Sequence, residues 1–411
     1  MSTGTGTGTD TVVTGMGVLA PTGLGHAAHW ENTLRGASAI GPVTRFDAGP
    51  YPSRLAGEIA DFVAEEHLPS RLLPQTDHMT RMALVASDWA LADAGVEPGL
   101  MPEYGVGVVT AASAGGFEFG HRELQNLWDR GPEYVSAYQS FAWFYAVNTG
   151  QISIRHGLRG PAGAMVTEQA GGLDALGQAR RQLRGGQPMV LAGAVDGSPC
   201  PWGWVARLSS SRMSRESDPA RAYRPFDTDA AGYVPGEGGA LLVLESEEAA
   251  RARGARHRYG RIAGYAATFD PPPGSGRPTN LARAARAALD DAELTPGEVD
   301  VVFADAAGTP KEDAAEADAL RCLFGSGGVP VTAPKTMTGR LSAGGPAVDV
   351  ATALMSLRAG VIPPTVHVSR PLPDHTLDLV TTPRRVPLAT ALILARGHGG
   401  FNSALVVTRP G

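Results

Sequence analysis

The chain is poor in whatever cross-links or anchors a protein. Two cysteines, Cys200 and Cys322, stand among 411 residues. They exclude a disulfide scaffold and suit a reduced, cytoplasmic setting; both read as small buried hydrophobes. No run of about 18 apolar residues occurs, so no membrane span is expected. Lysine is almost missing, with only Lys311 and Lys335. The net charge of −6 leaves no electrostatic footprint for nucleic acid. The other cations are arginines in an Ala- and Gly-rich background, a codon bias rather than a set of binding sites. Residues 1–10 form a Gly-Thr repeat without the basic-then-apolar order of a signal peptide, and are expected to be a disordered tail.

What is present is an alternation of strand and helix patterns. Val12-Val13-Thr14-Gly15-Met16-Gly17 reads as a strand entering a Gly-rich loop. Met79 to Ala94 reads as a helix with Met82, Val85, Trp89 and Ala92 on one face, and Tyr104 to Ala112 as a strand. The helix ends in Ala-Leu-x-Asp-Ala-x-x-x-Pro at residues 90–98, and the same pattern returns at residues 288–296 before a strand at Val299 to Ala304. A second echo pairs Gln182-Leu183-Arg184-Gly185-Gly186 with Ser356-Leu357-Arg358-Ala359-Gly360. Two echoes in one order imply duplicated α/β halves, 11–250 and 251–411, joined in the charged stretch from Glu245 to Arg258. Asp270 to Pro278, rich in Pro and Gly, is a surface loop.

The centre of the sequence is Ala164 to Leu176. Ala164 to Thr167 reads as a short buried strand, and Leu173, Leu176 and Leu183 as one face of a helix stopped by Gly185-Gly186. Pro188 to Val195 is another buried strand. Gln169 sits at the strand–helix junction, facing the unpaired N–H groups and positive end of that helix. A cysteine there would be an activated nucleophile. An amide nitrogen is not basic, so the site looks built for a nucleophile it does not have.

Thr14-Gly15-Met16-Gly17, Arg224-Pro225-Phe226-Asp227, Gly236-Glu237-Gly238-Gly239 and Gly399-Gly400-Phe401-Asn402-Ser403, in this order and spacing, resemble the landmarks of β-ketoacyl synthases. The match runs from Val12 to Val407. The resemblance implies an α/β thiolase fold with duplicated halves in five α-β-α-β-α layers. Active members use a Cys to carry the acyl chain and two His to assist decarboxylation and stabilise the enolate. Here Gln169 stands at the Cys position, Ala307 at the first His (Ala307-Gly308-Thr309) and Arg340 at the second (Lys335-Thr336-Met337-Thr338-Gly339-Arg340). Only Lys335 is retained, and none of the ten histidines takes either place.

Glu168-Gln169-Ala170-Gly171-Gly172-Leu173-Asp174, Pro201-Trp202-Gly203-Trp204, Gly232-Tyr233-Val234-Pro235-Gly236-Glu237-Gly238 and Phe141-Ala142-Trp143-Phe144-Tyr145 resemble the chain-length factors, the ketosynthase β subunits of bacterial type II polyketide synthases. That resemblance implies a heterodimer with a Cys-bearing ketosynthase α subunit, the strand near Gly163 to Thr167 pairing across the two-fold axis. It implies an acyl carrier protein delivering the growing polyketide on its own phosphopantetheine, with no cofactor or metal held by this chain. It also implies a chain-length tunnel along a helix from Gly116 to Trp128, with Phe117, Gly120 and Leu124 on one face and Phe141 closing the end. Gly120, with no side chain, and Leu124, smaller than an aromatic, make a decaketide-class product the expectation. Three roles stay open for Gln169: filling space while bonded to backbone groups, decarboxylating malonyl carrier protein, or propping the partner's site. As a whole protein, a starter-supplying decarboxylase and a purely structural partner are the alternatives. Lys335 and Arg340 read as ion-pair residues, Glu237 as an acceptor of backbone N–H groups and His398 as a space-filler.

Overall fold

The computed structural model describes residues 10–410 apart from 198, 273, 373 and 375. The tail expected at residues 1–10 lies outside the described residues except for Asp10, whose carboxylate pairs with Arg261.

The N-terminal half contributes β1 (Thr11–Ala20), β2 (Val106–Ala111), β3 (Ala162–Met165), β4 (Met189–Asp196) and β5 (Gly238–Ser246). The C-terminal half contributes β6 (Gly260–Phe269), β7 (Val301–Phe303), β8 (Pro330–Thr332), β9 (Thr390–Gly397) and β10 (Phe401–Thr408). The strands run in the order β1-β5-β4-β2-β3 and, with the same topology, β6-β10-β9-β7-β8. In each half the first two pairings are antiparallel and the last two parallel. The two sheets meet where Val12 and Val13 of β1 pair with Arg261 and Gly260 of β6.

Five layers follow. Helices α1 (His78–Ala94) and α3 (Val147–His156) cover the outer face of the first sheet, α2 (Phe117–Arg130) lying between them in the chain. Helices α4 (Gly171–Arg184) and α7 (Gly344–Ala359) lie between the sheets, and α5 (Leu281–Asp291) and α6 (Pro310–Phe324) cover the second sheet's outer face. The inner layer explains why α7 has no polar stripe: Val350, Ala351, Leu354 and Leu357 are all buried, as in a helix enclosed on every side.

The repeated Ala-Leu-x-Asp-Ala pattern is the joint between an outer helix and its sheet. A Cβ on Gly15 of β1 would lie 2.3 Å from the Ala90 carbonyl oxygen, and one on Gly264 of β6 would lie 2.0 Å from that of Ala288. Only glycine allows these approaches. Beside each contact the motif's Asp accepts a strand N–H: Asp93 from Met16 at 2.9 Å and Asp291 from Tyr265 at 3.0 Å. The glycine pattern at residues 15–17 therefore marks helix packing inside one continuous strand, not a loop after a short one.

The strand expected at Ala164 to Thr167 begins two residues earlier and is not buried. β3 is half-exposed, Val166 just beyond it is 47% exposed, and no strand of the described residues covers its outer edge. Its counterpart β8 is covered, by the short strand Asp378–Leu379. Cys200 is buried as expected, but Cys322 is exposed on α6. No helix among the described residues is long and apolar enough to cross a membrane.

Candidate functional site

Gln169 lies in a single 3-10 turn, Glu168–Ala170, between β3 and α4. The turn is tight enough to hold Glu168 at φ 51°, and Gln169 is 1% exposed. Gln169, Ala307 and Arg340 line one cavity of about 490 Å³ with Phe117, Ser342 and His398. The fold thus gathers the three vacated positions into one place.

The cavity floor is an ionic cluster. Gln169 Nε2 donates to Asp305 Oδ1 at 3.2 Å. Arg340 Nη2 donates to both Asp305 carboxylate oxygens, at 3.1 and 3.2 Å, and its Nη1 to the Asp305 carbonyl at 2.8 Å. The Arg396 backbone N–H adds a further bond at 2.9 Å. Burial alone would raise the Asp305 pKa, but Arg340, Lys335 and these donors together hold it below its ordinary value. Burial likewise opposes the Arg340 charge, and Asp305 more than offsets it, so the guanidinium stays charged. Lys335 donates to the Ala304 carbonyl and pairs with Asp349 at 2.8 Å. Glu316 of α6 accepts the Asp305 and Ala306 N–H groups at 2.7 and 2.8 Å, which fixes the loop carrying Ala307. Burial, and then the Asp305 charge, push the Glu316 carboxyl up to about 7.

This arrangement fixes the Gln169 amide. A carboxylate only accepts, so the NH₂ group must face Asp305 and the carbonyl oxygen is left for the cavity. The partner is a side chain, not the backbone groups that the space-filling reading of Gln169 gave it. The serines of the cavity offer no substitute nucleophile. Ser113 Oγ donates to Asp196 at 2.6 Å, and none of them is bonded to a histidine among the described residues. Among those residues no group of three or more His, Cys, Asp or Glu could hold a metal ion.

His398 is exposed at the cavity mouth, its backbone N–H donating to Glu168 Oε2 at 2.8 Å, so it fills no internal space. Glu237, 1% exposed, accepts the Ile59 N–H at 3.0 Å and also pairs with Arg45 at 3.1 Å. Burial would raise its pKa; His78 and Arg45 bring it below its ordinary value.

The tunnel residues are spread wider than their sequence grouping implies. Phe117 stacks on Trp202, ring centroids 4.7 Å apart, beside the cavity of Gln169. Gly120 faces Trp202 and Trp143, and Leu124 is half-buried on the same helix. Phe141 lines a second cavity with Phe144. The most consequential residue missed in the sequence is Asp305. Its one signal was its place directly after a buried strand, where chemistry-bearing side chains of α/β sheets collect.

Residues 9–250 match the N-terminal domain of β-ketoacyl synthases and residues 259–369 the C-terminal domain. The chain is 61% identical over 402 residues to the tetracenomycin polyketide synthase ketoacyl synthase beta subunit of Streptomyces glaucescens, covering 97% of this chain and 98% of the relative. It superposes on the ishigamide ketosynthase/chain length factor with a TM-score of 0.89 at 26% identity, covering 98% and 99% of the two chains. A chain of the complex between a type II polyketide synthase acyl-carrier protein and its ketosynthase bound to the hexaketide gives a TM-score of 0.86 at 27% identity, again covering 98% and 99%. With its fold duplicated and its nucleophile position filled by Gln169, the chain belongs to the β-ketoacyl synthase family, as one of the ketosynthase β subunits, or chain-length factors, of type II polyketide synthases.

Proposed function

We propose that this chain is the non-condensing half of a cytoplasmic heterodimer with a Cys-bearing ketosynthase α subunit. In it the chain shapes the tunnel that sets polyketide length, and an acyl carrier protein brings the growing chain on phosphopantetheine. The observation that carries this reading is the Gln169–Asp305–Arg340 cluster. Where an active synthase needs a thiolate and two imidazoles, this site holds an amide, a carboxylate and a guanidinium already bonded to one another. Catalysis of condensation requires groups free to take the acyl chain and to stabilise its enolate. The open edge of β3 supplies a place for the partner, and the exposed run Tyr138, Phe141, Trp143, Phe144 and Tyr145 supplies further apolar area. A decaketide-class product remains part of the proposal, resting on the missing side chain at Gly120 and the small one at Leu124.

The decarboxylase reading is weaker on the same geometry. An enolate needs strong, preorganised donors; one N–H of the Gln169 amide is already given to Asp305, and the two imidazoles of an active site are absent. The deciding experiment supplies malonyl carrier protein to the α subunit alone, to this chain alone and to the pair. Long-chain condensation products are expected only from the pair. Carbon dioxide released by this chain alone, and abolished in Gln169→Ala, would establish the decarboxylase instead.

A further inference from the structure

The second cavity lies on the far side of an aromatic wall from α2. A Cβ on Gly120 would meet Trp143 Cβ at 3.7 Å and Gln139 Nε2 at 3.8 Å, so one face of the segment from Gln139 to Phe144 packs on α2. Phe141 and Phe144, on its other face, line a chamber of about 560 Å³ with Leu72, Leu84 and Ile154, open to solvent on this chain where Phe144 and Ile154 are 49% and 77% exposed. Two polar groups at its rim are committed. Gln75 donates to the Arg71 carbonyl at 2.8 Å, and Arg155 pairs with Asp88 at 2.6 Å. Gln151 of α3 is not committed. It lines the chamber, is 8% exposed, and its side-chain amide has no hydrogen-bond partner among the described residues.

We propose that this chamber receives the distal, starter end of the growing chain, and that the Gln151 amide hydrogen-bonds one of its ketone oxygens. The inference rests on the chain-length reading above and extends it to residues outside α2. A poly-β-ketone alternates methylene carbons with carbonyl acceptors. Largely apolar walls with the uncommitted Gln151 amide, and the equally uncommitted Arg71 guanidinium at the rim, fit that pattern, as small-molecule sites generally combine apolar lining with few placed polar groups. The shared wall also couples the two regions: bulk added at Gly120 pushes Trp143, and with it Phe141 and Phe144, towards the chamber.

The test uses the αβ pair with carrier protein and a malonyl donor, read by mass analysis of the products. A Cβ at Gly150 would meet nothing within 4 Å, so Gly150→Leu fills the chamber from α3 without a clash and with better helix propensity. Gln151→Met keeps the volume and removes the hydrogen bond. Both are expected to shift the distribution towards shorter chains while the pair stays assembled. If both give the parental products while Gly120→Thr with Leu124→Phe shortens them, the chamber is overturned and the chain-length reading stands. If none of the three changes the length, both fall. Loss of the αβ complex in Gly150→Leu would show a partner side chain seated there, which also overturns the inference.

Discussion

Asp305 is held by Gln169 and Arg340 at once: the amide Nε2 lies 3.2 Å from its Oδ1 and the guanidinium Nη2 3.1 Å from the same oxygen. Replacing a nucleophile with an inert residue leaves a polar hole, and a polar hole buried in protein is costly unless every group finds a partner. Here the substitutions at the lost Cys and second His positions satisfy each other through a carboxylate between them. The change from catalyst to scaffold is therefore one connected substitution, not independent losses.

It follows that Gln169→Cys alone creates no ketosynthase. The new thiol would face Asp305 rather than an imidazole, and Ala307 and Arg340 still leave the enolate unassisted. No condensation above background is expected when the variant is supplied with malonyl carrier protein without its partner. Elongated acyl chains on the carrier protein would mean that the two His positions have been placed wrongly.

His29 should make the protein acid-sensitive. Thr352 gives its proton to the Val348 carbonyl at 2.7 Å, so it accepts from His29 Nε2 at 2.9 Å, and Nδ1 then accepts from Thr22 at 2.6 Å. Only the neutral ring satisfies all three. Burial, helped by the charge of His26, lowers the His29 pKa from 6.5 to about 4. Between those values the unfolded chain binds a proton that the folded one does not, so stability falls as pH drops through that window. The loss approaches about 3 kcal/mol at its acid end. Buried carboxyls raised on folding, such as Glu316, act the opposite way in this window, so the reading is the difference: between pH 8 and pH 5 the thermal midpoint of the parent should lose ground relative to His29→Gln, and equal slopes would count against this assignment.

The sequence revealed the fold wherever a local pattern had one physical cause. Both copies of the Ala-Leu-x-Asp-Ala motif were readable, because glycine contact and Asp capping demand the same residues in each half. Gln169, Ala307 and Arg340 could be placed because the glycines and prolines around them are set by the backbone. Asp305 was not readable as their common partner, since its role depends on three segments more than 30 residues apart in the chain. The exposure of β3 was hidden for a similar reason: Ala164-Met165-Val166 is as apolar as a core strand, and only the sheet order shows that no strand of the described residues covers its edge. Phe141 was expected to close the end of the tunnel that Phe117 lines, while the wall that separates them is a tertiary feature.

β3 also makes a prediction about assembly. The carbonyls of Pro161 and Met165 accept from Val108 and Ala112, so the odd-numbered residues of this edge point their backbone groups at β2. Strand groups alternate in direction, which leaves the N–H of Ala164 and of Val166 facing outwards. Proline there removes a donor this chain does not use itself. Ala164→Pro and Val166→Pro should therefore keep the circular dichroism of the parent and lose co-purification with the α subunit. Parental yields of the pair would show that the partner does not add its strand here.

The chain-length prediction turns on what a side chain at Gly120 would touch. A Cβ there would lie 3.1 Å from Trp202 Cζ3, tighter than ordinary contact, and 3.7 Å from Trp143 Cβ. Bulk at this position cannot simply occupy empty space. It must push Trp202, which is 40% exposed and free to give way, along with the Phe117 ring stacked on it. Phe117 lines the cavity of Gln169, and Trp143 belongs to the wall behind which Phe141 lies. Gly120→Thr with Leu124→Phe should therefore narrow the path from both sides of α2, stall the chain earlier and move the products of the αβ pair from decaketide-class towards shorter polyketides. The overpacking itself should cost about 1–3 kcal/mol, small enough for the pair to stay folded. Mass analysis of products from equal amounts of assembled parent and variant reads the outcome, and an unchanged length in an active, assembled double variant would remove α2 from the chain-length mechanism.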